Sequence, residues 1–318
     1  MSKDISKTSS PVDPDNMIYQ KLPDSEKVTQ VYPEEKQVPL EGLYLGQRLA
    51  AESAKIGRSL VITDFLTDRN GVIAKTDEHH HLQVPSELKN ASDWRLSQEL
   101  MAQADVVISG GSYFKRVSVP GNHAEDILYQ FEPGGEFEKL GKWRLEAGYK
   151  KRSPDLAIVT RSLDFKIPEE VLRMDRRIVI FTIYGIANSA NARALTSSGV
   201  VVIGAGDEGI DGNRLIDTLG NEMGYRVIMM STGPSVLEIL LEAKRLDLFY
   251  VTEAQREISF DDPSTVKTIL PNGEKVNELK EFLITHRYIQ KNVVTEDGAL
   301  ISQFFIRYDS KDIRADRA

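Results

Sequence analysis

Three stretches of this 318-residue chain carry residue types and spacings that suit phosphate chemistry. In the first, Val200 to Gly209, an apolar run leads into Gly204, Gly206 and Gly209 at G-x-G-x-x-G spacing. A dinucleotide-binding turn of that kind rests a pyrophosphate on the following helix and places an acid on the ribose at the end of the next strand. Here the next strand ends Met229, Met230, Ser231, Thr232, without the acid, so an ordinary glycine-rich turn is the plainer account. In the second stretch, Ser231 to Val251, Ser235 and Glu238 have capping-box spacing and predict a helix opening at Ser235, directly after Thr232, Gly233 and Pro234. Unpaired N–H groups and the positive dipole end would receive an anion there, with Gly233 admitting a phosphate against the backbone. A well-capped turn with no ligand looks the same. The third stretch, Ser109 to Phe114, holds Gly110, Gly111 and Ser112 at a strand end, which suits close approach to a flat ring or a ribose, or a tight turn.

Other reactive residue types lead nowhere specific. The run Glu78, His79, His80, His81 lacks H-E-x-x-H spacing, and adjacent histidines point in different directions, so it is expected to be a solvated loop and no metal is expected. Lys150, Lys151 and Arg152 read as a solvated basic loop, and Trp94 and Trp143 as packing or lid residues. No G-x-S-x-G elbow supports a serine hydrolase, and with no cysteine there are no disulfides or thiolate sites.

The elements that must position these loops are legible as short apolar runs. Leu60 to Phe65, Val106 to Ile108, Leu156 to Thr160, Ile178 to Ile183, Val200 to Ile203, Val227 to Met230, Leu248 to Val251 and Ile301 to Arg307 suit strands covered on both faces. Ala190 to Ser197, Asn213 to Met223 and Ser235 to Leu246 carry helical spacing. Alternation of the two predicts an α/β fold with a largely parallel sheet between helical layers. Residues 1–36 are expected as a flexible arm, 37–310 as one α/β domain and 311–318 as a tail. Asp126 to Gly148 lacks periodicity, whereas Ile258 to Glu296 suggests a hairpin around Pro271, Asn272 and Gly273 and a short helix near Leu279 to Ile284. A formal charge of -8 opposes nucleic-acid and membrane-surface partners. No apolar run of signal-peptide or membrane-spanning length occurs, so the expectation is a cytoplasmic protein.

The order of these motifs resembles the reductase domain of the bifunctional deaminase-reductase of riboflavin biosynthesis, over roughly residues 58–308. That family's S-L-D-G-[KR]-I-A turn is similar to Asp68 to Ala74, its L-R-A-x-A-D-A and G-x-G-T segments to Leu100 to Asp105 and Gly110 to Tyr113, and its P-x-x-V-[LV]-[ST]-x-S-L-D segment to Pro154 to Asp164. Its E-G-G-P-[TS]-[LV] loop corresponds to Ser231 to Val236, and its V-D-E entry to Leu246, Asp247 and Leu248.

The resemblance implies a three-layer, dihydrofolate-reductase-like fold, a mixed and mostly parallel sheet flanked by helices. It also implies homodimerisation and NADPH as hydride donor to a small-molecule substrate of the 5-amino-6-(5-phosphoribosylamino)uracil type. It places Thr232, Gly233, Pro234, Ser235 and Val236 at the pyrophosphate and Gly110, Gly111 and Ser112 near the nicotinamide or ribose. Thr160, Arg161 and Ser162 fall towards the adenosine, with Arg161 suited to a 2′-phosphate. On the substrate side it points to Asp64 or Asp68 for ordering a water or the substrate, and to Asn70 for a hydrogen bond; a plain hairpin turn is the other reading of Asp68 to Gly71. Three polar positions of the family differ: Met101 replaces arginine, Ser231 glutamate and Asn70 aspartate. A non-catalytic dinucleotide-binding protein, or a reductase of another small carbonyl or pterin-like compound, therefore stays beside the riboflavin-type reductase.

Overall fold

The computed structural model describes residues 26–76, 82–117 and 130–317. The chain enters through the hairpin β1 (Lys27–Tyr32) and β2 (Lys36–Pro39), helix α1 (Leu49–Ile56) and strand β3 (Leu60–Thr67). Two short strands, β4 (Val72–Thr76) and β5 (Leu82–Gln83), precede α2 (Ala91–Met101), β6 (Val106–Gly110), α3 (Gly111–Val117) and α4 (Glu138–Glu146). Next come β7 (Asp155–Val159), α5 (Glu169–Arg173), β8 (Ile178–Thr182), α6 (Tyr184–Ala187), α7 (Ala190–Ser197) and β9 (Val201–Gly204). The last part comprises α8 (Gly212–Asp217), β10 (Val227–Met230), α9 (Pro234–Glu242), β11 (Leu248–Ala254), β12 (Val266–Thr268), β13 (Phe282–Val294), β14 (Leu300–Ser310) and α10 (Lys311–Arg317).

Eleven strands form one sheet in the order β2-β1-β13-β14-β11-β3-β10-β6-β7-β8-β9. The seven from β11 to β9 are parallel, and the four on the other side are antiparallel. Every residue of β6, β7, β8 and β10 is buried, which is why those strands are dominated by apolar residues, with polar ones confined to their ends: helices cover both faces. On one face Leu215, Leu237 and Leu240 of α8 and α9 pack on Val61, Ile228 and Phe249. On the other, Leu49, Leu96 and Leu140 of α1, α2 and α4 cover Leu60, Ile62 and Met229, while α3 and α7 cover β7 and β8. The result is the expected three-layer α/β sandwich.

Four local expectations are corrected. Residues 27–32, placed in the flexible arm, form β1, which pairs with the edge of β13 and buries Val28; the polar Gln30 on the same inward face hid the alternation. The tail forms α10, with Ile313 buried. Leu279 to Ile284 is not helical, because Phe282 already opens β13, whose pairing with β14 overrides local helical spacing. The segment 271–273 is a single tight turn, not the tip of a hairpin: β12 before it pairs with β4 and β13 after it with β14. Within the aperiodic stretch, 126–129 lie outside the described residues, and α4 is anchored by Arg144, whose Nη1 donates to the carbonyls of Ala102 and Ala104, both at 2.7 Å, at the end of α2.

Candidate functional site

Parallel strands deliver their loops to one edge. β10, β6 and β7 are neighbours in register, Met230 beside Ile108 and Gly110 beside Val159, so the loops leaving them start side by side. The glycine pair at the end of β6 lets those loops touch. A Cβ on Gly110 would lie 2.8 Å from Oγ1 of Thr232, and one on Gly111 would lie 2.5 Å from Oγ1 and 2.7 Å from Cβ of Thr160. Thr160 in turn closes its own loop, its hydroxyl donating to the Ser162 carbonyl at 2.6 Å and accepting from the Ser162 amide at 3.2 Å, which leaves Arg161 exposed at the tip. Ser112 is exposed in the first turn of α3.

The start of α9 faces the same edge. Pro234 takes the first helical position and Gly233 the cap, so Ser235 lies inside the helix, exposed, and the expected Ser235–Glu238 box is not made. Proline's fixed φ suits that first position and starts the helix one residue early. No side chain caps this end and no acid stands in its first turn. Among the described residues, nothing accepts from the amides of Thr232, Gly233 or Ser235, and the Val236 amide reaches the Gly233 carbonyl at 3.3 Å. A Cβ on Gly233 would meet nothing within 4 Å. This nine-residue helix thus presents a bare, open, electropositive end.

The glycine-rich segment at β9 is built differently. Gly206 sits at φ +149°, where a Cβ would collide with the Gly209 carbonyl, so the glycines serve the turn itself. The start of α8 is already occupied by Asp211, whose Oδ1 accepts from the amides of Asn213 at 2.8 Å and Arg214 at 3.3 Å. With exposed Asp207 and Glu208 alongside, the loop is unsuited to phosphate.

The three substrate-side residues separate. Asp68 is 1% exposed and spent on the backbone: Oδ1 accepts from the amides of Asn70 and Val72, both at 2.8 Å, and Oδ2 from that of Ile258 at 2.9 Å. It holds the β3–β4 turn to the segment after β11, and the plain turn is the better reading of this residue. Asn70 stands exposed on that turn. Asp64 alone meets another acid. Side chains alternate along β3, so Asp64 shares the face of Leu60 and Ile62, towards α2. There it lies near Asp93, in the first turn of α2, whose amide is received by the side chain of the capping residue Asn90 at 3.0 Å. Burial, then the charge of Asp93, pushes Asp64 up to about 8, against hydrogen bonds from the Ser97 hydroxyl and Phe65 amide. Burial also pushes Asp93 up, to about 6, against the Thr252 hydroxyl. The pair retains a proton at neutral pH and is equipped to give it up.

Asp93, Ser97 and Thr252 were not singled out from the sequence. The available signal was Asp93 and Ser97 one turn apart on an otherwise apolar helix face. Met101 is 4% exposed, within the core beneath α2. The basic group Lys150 to Arg152 lies at the opposite end of the sheet, with Lys151 Nζ 2.8 Å from Asp155 at the start of β7. Trp94 donates to Glu136 at 3.1 Å and packs edge-on to Phe137, and Trp143 packs beside Tyr149. Glu78 to His81 lie outside the described residues. Among the described residues no group of three or more His, Asp or Glu is placed to hold a metal, and no helix is long and apolar enough to cross a membrane.

An open, mixed and mostly parallel sheet flanked by helices, with three loops starting side by side at one edge, defines an α/β protein. Its fold is shared with a pyrimidine reductase-like protein from Corynebacterium diphtheriae, at TM-score 0.55 and 17% identity over 86% of this chain and 99% of that one. RibD from Acinetobacter baumannii is also similar, at TM-score 0.49 and 12% identity over 80% of this chain and 58% of that one, so the chain spans little more than half of RibD. The riboflavin biosynthesis reductase Rib7 of Saccharomyces cerevisiae gives TM-score 0.46 and 11% identity over 83% of this chain and 99% of that one. No protein-family model and no curated protein matches the sequence. At these identities the likeness is one of fold.

Proposed function

We propose that the chain is an NADPH-dependent reductase of the riboflavin-pathway type, reducing a small substrate such as 5-amino-6-(5-phosphoribosylamino)uracil, and that it works as a cytoplasmic homodimer. The observation that carries this reading is the bare start of α9, open at Gly233, beside which Gly110 closes on Thr232 and Gly111 on Thr160. Amides of Thr232, Gly233 and Ser235 would hold the diphosphate, with Pro234 and Val236 fixing the turn. Gly110, Gly111 and Ser112 would border the nicotinamide ribose. Thr160 and Ser162 would shape the adenosine side, and the exposed guanidinium of Arg161 would meet the 2′-phosphate.

NADPH supplies a hydride, and the chain has to align the acceptor at ~3–3.5 Å and provide a proton. Asp64, with Asp93 beside it, is the group that holds that proton, while the Ser97 and Thr252 hydroxyls orient the two carboxyls. Asp68 keeps the β3–β4 turn in place, with Asn70 at its tip. Burial of Met101 favours a second reading, in which the acceptor is a different small carbonyl or pterin-like compound, because a buried thioether offers a phosphate no charge. Steady-state oxidation of NADPH against the phosphoribosylaminouracil, pterins and small carbonyls tests both. Turnover of the first compound supports the proposal, turnover of another selects the second reading, and saturable NADPH binding with no turnover would leave a dinucleotide-binding protein.

A further inference from the structure

A chain of polar side chains joins the start of α2 to the antiparallel half of the sheet. Asn90, Ser92, Gln290 and Gln303 are each 4% exposed or less, and polar groups so deeply placed are stable only when their donors and acceptors are matched. Gln303 shares the face of Phe305 on β14, towards α2, and Gln290 of β13 stands opposite it in register.

The bonds fix which way each amide points. Gln290 Nε2 donates to the Ser92 hydroxyl at 2.8 Å and to the carboxylate of Glu26, just ahead of β1. An ionised carboxylate only accepts, so Gln290 turns its Oε1 to Gln303, whose Nε2 donates to it at 2.9 Å. The same Nε2 donates to Asn90 Oδ1 at 3.1 Å, and Asn90 Nδ2 returns a bond to Gln303 Oε1 at 2.9 Å. Asn90 Oδ1 is thereby presented to the Asp93 amide, which donates to it at 3.0 Å. A helix cap needs an oxygen and nothing more. Here the capping side chain is itself gripped in both directions, and among the described residues Gln303 is its one partner from the sheet. The Thr252 hydroxyl of β11 meets the Asp93 carboxyl, so backbone and side chain of Asp93 are both tied to neighbouring strands.

We propose that Gln303, acting through Asn90, is a positioning residue for the Asp64–Asp93 pair, fixing the first turn of α2 on the sheet and with it the place of the Asp93 carboxyl beside Asp64. The inference rests on the reading of Asp64 as the group that holds the proton. Where that turn sits sets how far water is kept from Asp64 and how near the charge of Asp93 comes, the two causes that raise Asp64. The other titratable groups facing the pair are Tyr44, ahead of α1, and Tyr250 of β11. Burial holds both phenols protonated well above neutral pH, so neither titrates with the acids.

Carboxyl-carbon NMR of the full chain, with the Asp64 signal identified through Asp64→Asn, reads the titration without any cofactor. Wild-type Asp64 is expected to titrate at about 8. Gln303→Met keeps the length of the side chain and removes the amide. It should lower the Asp64 midpoint by about one pH unit or more and speed exchange of the Asp93 amide about three- to tenfold. Asn90→Ser keeps a capping oxygen but is too short to reach Gln303; it should move Asp64 in the same direction, and it serves if Gln303→Met does not fold. Gly206→Ala strains the turn after β9, at the far edge of the sheet, and should leave Asp64 where it is. An Asp64 midpoint unmoved in Gln303→Met and Asn90→Ser, or moved equally by Gly206→Ala, would overturn the assignment. Absence of NADPH turnover in the wild type, with Asp64 still answering to Gln303, would count against the reductase proposal and leave the positioning of the pair standing.

Discussion

Replacing Gly110 by alanine inserts a methyl group 2.8 Å from Oγ1 of Thr232, where about 3.4 Å or more is an ordinary contact. Either Thr232 leaves its rotamer or the loops after β6 and β10 part by a few tenths of an ångström. Off-rotamer strain and overpacking of this size cost about 1–2 kcal/mol. Thr232→Ala removes the offending oxygen, and the remaining approach, 4.0 Å from the added methyl to Cβ of residue 232, is relaxed. Urea unfolding of the wild type, both single variants and the double variant reads the coupling directly, provided the m value is constant. The expected result is a destabilised Gly110→Ala, a mildly affected Thr232→Ala, and a double variant more stable than the sum by ~1 kcal/mol. Additivity within about 0.3 kcal/mol would show that the two loops do not meet, and the shared edge on which the site depends would be lost.

Other consequences are open to equally direct measurement. Asp68→Ala orphans three backbone amides and should lower stability by about 2–4 kcal/mol in urea unfolding. Folded Asp64 keeps its proton up to about 8 whereas an unfolded aspartate releases it near 3.8; the folded state therefore binds more protons between these values, and stability falls as pH rises through that window. Asp64→Asn should flatten this decline, seen as unfolding midpoints converging between pH 5 and pH 8. Gly206→Ala should destabilise the chain by more than about 1 kcal/mol through positive φ and the Gly209 carbonyl, while Gly233→Ala, with open space around it, should shift the midpoint by less than about 0.5 kcal/mol.

The parallel half of the fold was readable because its strands are buried on both faces: Val106 to Ile108 and Ile178 to Phe181 carry no polar residue and stand out against any helix pattern. The antiparallel half was less so. β13 carries Thr285, His286, Arg287 and Gln290, and Thr285 and Gln290 meet Asp309 and Ser92, partners that only the folded sheet supplies. The loops of the candidate site could be found from glycines at strand ends, yet the reason for Gly110 and Gly111, the closeness of Thr232 and Thr160, is a tertiary fact. Asp64 could be named from its place on the first strand, whereas its partner Asp93 belongs to another element, and nothing local pairs them. Asp68 misled because a carboxylate in a turn looks the same in sequence whether it faces water or three amides.

Whether the start of α9 holds a diphosphate, as proposed, is read by a fluorescence titration of NADPH into wild type and Gly233→Asp. An aspartate fits the open space at Gly233 without strain. At about 5 Å and an effective dielectric of about 20, its charge would repel a bound diphosphate by ~3 kcal/mol, on the order of a hundredfold in affinity. The expected result is saturable binding to the wild type, weakened by that factor in Gly233→Asp at an unchanged urea midpoint. Equal affinities, or no saturable binding to the wild type, would contradict it.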